Sequence, residues 1–149
     1  MRNERYDLEI DGVSIIFEFV SKGPKGDIRK RIVFQDTGSD NMYNLAFGDV
    51  DPDTGDFDDF VITNNQDTIK VLATVAASVY AFSDVYPNAR IYATGSTPAR
   101  TRLYRMGISN NLEELQEQFE VFGFLETIGW SEYEKNNNYS AFFIRRKTL

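Results

Sequence analysis

Cysteine and histidine are both absent from the 149 residues. Their absence excludes disulfides, zinc sites built from Cys and His, thiol nucleophiles, and every Ser-His or Cys-His catalytic arrangement. Long apolar runs are also lacking. The longest, residues 69 to 82, is broken by Lys70, flanked by Asp67 and Asp84, and well short of the roughly 20 residues a membrane span needs, so it reads as a core helix. The first residues, Met1-Arg2-Asn3-Glu4-Arg5, carry no signal-peptide apolar stretch, and a cytoplasmic protein without a membrane partner is expected. Positive charge is in deficit: 16 Lys+Arg against 23 Asp+Glu leave a net charge of -7. That balance argues against nucleic acid as a partner and requires any anion site to be local. What is present, 42% hydrophobic and 14% aromatic residues, is too rich in core formers for disorder. The length suits a single domain, 1–149, burying roughly 68–70% of its unfolded surface.

The first third alternates with period two. Tyr6, Leu8 and Ile10, then Asp11-Gly12, then Val13, Ile15, Phe17 and Phe19 predict a strand, a tight turn and a strand, because Asp and Gly tolerate the positive φ of a type I′ turn. Ile28, Ile32 and Phe34 predict a third strand, Tyr43, Leu45 and Phe47 a fourth, and residues 57 to 63 a fifth, in an antiparallel meander. From Asn64 the period becomes helical. Ile69, Leu72, Ala73, Ala76, Val79 and Phe82 line one side of a helix over 67–85, capped by Asn65 or Asp67 and apolar around most of its circumference. Residues 90 to 94 then read as a strand, 98 to 106 as a short helix ended by Gly107, and 112 to 119 as another. Residues 121 to 126 and 139 to 146 read as a closing hairpin. The expected class is α+β: an antiparallel sheet of meander plus hairpin, packed on one long buried helix, with a short helical pair.

Chemistry concentrates at Gly95-Ser96-Thr97-Pro98-Ala99-Arg100-Thr101-Arg102-Leu103-Tyr104-Arg105. A strand ends, Ser96 or Thr97 caps, and Pro98 opens a helix whose free N–H groups favour anions. With Ala99, Leu103 and Met106 turned inward, Arg102 and Arg105 share one flank and Arg100 sits beside Tyr104 on the other. No acid lies between Asp84 and Glu113. Ser96, Thr97, Arg100, Arg102 and Arg105 therefore form a candidate site for phosphate or carboxylate, which guanidinium forks match bidentately. The structural alternative pairs these arginines with the acidic loops. The segment 49–56 imitates a calcium loop, but its glycine falls one place late and Phe60 stands where a bidentate Glu belongs. It reads as a turn with Gly55 at positive φ, and no metal is expected. Arg145-Arg146-Lys147 reads as charge protecting a sheet edge. Trp130 and Tyr133 read as core, or as a stacking platform in a loop.

Across most of its length the chain resembles a family of small uncharacterised bacterial proteins, through Gly95-Ser96, the run Arg100 to Arg105, Asn138-Tyr139-Ser140-Ala141-Phe142 and Arg146-Lys147. That resemblance implies no known activity. Residues 64 to 108 are also similar to the central strand-helix-strand-helix of the acyl-CoA N-acyltransferase superfamily, through Ala99, Leu103, Tyr104 and Gly107. This second resemblance would make Tyr104 a general acid. The superfamily's glycine turn for the cofactor pyrophosphate is here Asn64-Asn65-Gln66-Asp67-Thr68, with a carboxylate and no glycine. The function expected is a binding module, not an enzyme and without cofactor, for an anionic small molecule or a protein partner's acidic or phosphate group. The alternatives are an acyl-CoA-dependent N-acyltransferase-like protein and an interaction component of a bacterial complex or toxin-antitoxin-like pair.

Overall fold

The computed structural model describes residues 4–7, 9–10, 15–58, 63–95 and 97–148. The period-two segments form β1 (Glu9–Ile10), β2 (Ile16–Gly23), β3 (Gly26–Asp36), β4 (Met42–Val50) and β5 (Phe57–Asp58). The Asp11-Gly12 turn and residues 59–62 lie outside the described residues. β2, β3 and β4 make the expected antiparallel meander, with Ile32 opposite both Phe17 and Phe47. This register sends Phe17, Phe19, Ile32, Phe34, Leu45 and Phe47 to one face, where none is more than 5% exposed. Helix α1 (Thr68–Val85) lies on that face, and its Phe82 ring stacks on Phe34 at 4.1 Å. By length and composition alone α1 could cross a membrane; here most of it is buried as the core helix.

Beyond α1 come β6 (Arg90–Ala93), α2 (Pro98–Gln118), β7 (Phe119–Leu125), β8 (Gly129–Glu132) and β9 (Ala141–Arg146). Among the described residues the nine strands form one sheet in the order β1-β2-β3-β4-β6-β9-β7-β8, with β5 paired to the far end of β4. The architecture is α+β, mostly antiparallel, and β4–β6 is a parallel pair joined by the α1 crossover. Both helices pack on the same face, where Leu45, Leu72, Ile91, Tyr104, Gly107 and Phe142 help enclose a cavity of about 40 Å³. No helix covers the opposite face among the described residues.

Four expectations need correction. The short helical pair is one continuous helix, because Gly107 is not a terminator: it faces α1, and a Cβ there would meet Leu72 at 3.4 Å. The inward face of α2 is Arg100, Tyr104, Gly107, Ile108, Asn111, Leu112 and Leu115, whereas Ala99 is exposed. Arg145-Arg146-Lys147 does not guard an edge, since β9 lies between β6 and β7. Finally, Trp130 is neither core nor loop, since it stands 46% exposed on the edge strand β8; Tyr133, 3% exposed, is core as expected. Gly55 does take positive φ, +75°, in a turn where the Asp51 carboxylate accepts from the N–H groups of Asp53 and Thr54.

Candidate functional site

β4 and β6 pair only from Met42 to Asn44 and from Arg90 to Tyr92. From residue 45 to 48 the β4 edge away from β3 has no neighbouring strand among the described residues, and α2 supplies donors instead. The Arg100 guanidinium donates through Nη2 to the Phe47 carbonyl, and the Tyr104 hydroxyl donates to the Leu45 carbonyl at 3.4 Å. Both side chains are about 5% exposed or less. Arg100 also lies over the Phe47 ring, 5.2 Å from its centroid. Its Nη1 is buried with no hydrogen-bond acceptor.

The α2 terminus above Arg100 is well formed. Pro98 fills the first turn, and the Thr97 hydroxyl accepts from the Arg100 N–H at 3.3 Å. Gly95 lets the end of β6 pass close to this turn, because a Cβ there would strike the Thr101 nitrogen. Thr97 and Arg100 therefore meet at one place, whereas Arg102 projects to solvent. Arg105 leaves by another side and donates to the Tyr139 carbonyl at 3.3 Å. Ser96 lies outside the described residues. None of the ion pairs found among the described residues includes Arg100, Arg102 or Arg105.

A second polar cluster was not read from the sequence. Lys30 is fully buried, pairs with Asp49 at 2.5 Å and reaches the Thr63 carbonyl at 3.3 Å. The other Asp49 oxygen accepts from the Thr63 N–H. An aspartate that seemed part of an acidic loop thus neutralises a core lysine and fixes the chain into α1. The only available signal was Lys30 at an inward position of a period-two strand. At the start of α1, Asp67 makes no side-chain cap. Its carboxylate accepts from Tyr6 at 2.5 Å and Ser21 at 2.6 Å. Burial, reinforced by this bond to Asp67, raises the Tyr6 hydroxyl above the ordinary tyrosine range. Burial also raises the Tyr133 hydroxyl, which donates to the Arg105 carbonyl; a bond with Ser109 only partly offsets the shift.

The matching family model spans residues 2–147 and includes every residue of both clusters. The chain belongs to a family of unknown function (DUF6934). No curated protein and no solved structure matches it. Membership in this family carries no substrate or partner, so the chemistry of the side chains is the available guide.

Proposed function

We propose that the chain binds a small anionic ligand, or the carboxylate or phosphate of a protein partner, where β4, β6 and the N-terminus of α2 meet. Arg100 supports this reading. A guanidinium 4% exposed, with no carboxylate in contact among the described residues and one buried nitrogen without an acceptor, is a charge withdrawn from water with only the Phe47 carbonyl and ring to offset it. An anion supplies both the missing charge and the missing acceptor. Thr97 and the first-turn N–H groups of α2 frame the ligand, and Arg102 and Arg105 raise the local potential. The test is an amide and guanidinium chemical-shift titration with inorganic phosphate, acetate and acetyl-CoA. Shifts at residues 45–47 and 97–104 that vanish in Arg100→Met are expected; unchanged spectra with all three anions would overturn the site.

One observation favours acyl transfer as a second reading. Because the Asp67 carboxylate is turned to Tyr6 and Ser21, no side chain caps the first turn of α1, so a phosphate there need not face a free carboxylate. Tyr104 would then be the general acid, released from the Leu45 carbonyl. Calorimetry with acetyl-CoA separates the readings: a Kd below about 10 μM, roughly -7 kcal/mol, would favour the transferase.

A further inference from the structure

We propose that the helix-free face of the sheet is a second site, which takes a free nucleoside phosphate with its base on Trp130 and its phosphates on Arg90 and Arg145. Tyr92, Phe143 and Phe122 are cross-strand partners on β6, β9 and β7. Their rings stand in a row, stacked at 4.8 Å and 5.4 Å. Trp130 meets Tyr92 at 75°, Phe143 at 73° and Phe124 at 61°. The indole therefore sits edge-to-face against the end of this row, with 46% of the residue exposed. A flat ring held this way is a platform for a base, and such stacking contributes about 1–3 kcal/mol.

The same pleat carries the charge. Arg90 and Arg145 are directly opposite each other on β6 and β9, an arrangement of like charges that weakens a sheet. They open onto a recess of about 540 Å³ whose lining also includes Arg146 and Lys147 and, among the described residues, no carboxylate. Glu120 reaches Arg145 at 3.2 Å and Asp84 reaches Arg146 at 2.7 Å. The Arg145 pair is open to solvent and so contributes little, whereas Arg146 follows the alternation of β9 to the helix-covered face, where Asp84 of α1 holds it. Arg90 and Arg145 are the arginines on the aromatic face, with Glu120 beside them. The Arg145 guanidinium and the Trp130 ring flank the same Phe143 ring, at 5.7 Å and 6.2 Å, so one ligand joining a planar ring to a phosphate spans both. A single exposed indole and a chain of net charge -7 suit one nucleotide, not a polyanion strand.

Trp130 is the sole tryptophan, so its fluorescence reports on the platform directly. Adding ADP to the full chain should quench it saturably. Arg90→Gln and Arg145→Gln should each weaken ADP by about tenfold or more while urea stability holds or rises. Adenosine or ribose 5-phosphate alone should also bind about tenfold more weakly. Trp130→Ala, followed by calorimetry, should lose ADP binding. Arg100→Met should leave quenching intact, which separates this site from the one on the helix-covered face. The proposal is overturned by absence of saturable quenching up to about 10 mM ADP, by unaltered affinity in both arginine variants, or by a single-stranded oligonucleotide binding more than about tenfold tighter than ADP.

Discussion

Arg100 faces the core yet touches no carboxylate among the described residues, and its replacement separates two accounts of why it is there. If it serves only to satisfy β4, Arg100→Met strands the Phe47 carbonyl and costs about 1–3 kcal/mol. If it waits for an anion, removing an uncompensated charge offsets that loss. We expect urea stability within about 1 kcal/mol of the parent in phosphate-free buffer, and loss of the stabilisation that phosphate gives the parent. Glu18 shows the opposite situation, a charge with partners. Burial acts to raise its carboxyl, but hydrogen bonds from Arg31 at 2.7 Å and Arg29 at 2.8 Å outweigh it and hold the group below its ordinary range. A depressed folded value contributes stability that is present above the unfolded value, near 4.3, and lost as pH falls through the folded one. Glu18→Gln should therefore be less stable than the parent near neutrality, and the gap should close below about pH 4. Urea midpoints at stepped pH check this.

Between elements, two glycines make contrasting predictions. The nearest atoms to a Cβ at Gly107 belong to the Leu72 side chain, at 3.4 Å, so Gly107→Ala fits between the helices and gains helix propensity of about 1 kcal/mol. A Cβ at Gly123 in β7 would enter the Tyr139 ring at 2.4 Å. Gly123→Ala should therefore cost about 1–3 kcal/mol through overpacking, and thermal melts of the two variants should move in opposite directions. These positions also show what the sequence could convey. Period two in Phe17, Phe19, Ile32 and Phe34 made the meander legible, and the apolar circumference of residues 69 to 82 made α1 legible. Gly107 was misread because a glycine that ends a helix and one that admits a neighbouring helix look alike until the neighbour is placed. Arg100 was turned outward for a similar reason: charge predicts solvent, and only the unpaired carbonyls of β4 reverse that.

Across the whole molecule, strand order was the illegible part, since it depends on pairings between residues far apart in the chain. The β4–β6 seam pairs residue 42 with residue 90 and extends over three positions. By contrast, the β2–β3 hairpin pairs residues as close as Gly23 and Gly26. The open aromatic face was hidden likewise, because Tyr92, Phe143, Phe122 and Trp130 become one surface only when β9 inserts between β6 and β7. The brevity of the seam also bears on how the chain reaches its fold. Closing the long α1-containing segment carries an entropic cost that three residue pairs offset poorly, so the meander should form before β6 docks. Ile91→Val in the seam should then act mainly by speeding unfolding, whereas Ile32→Val within the meander should slow refolding. Stopped-flow chevrons of the two variants would read that order directly, and equal effects on both limbs would mean that the seam closes together with the hairpins.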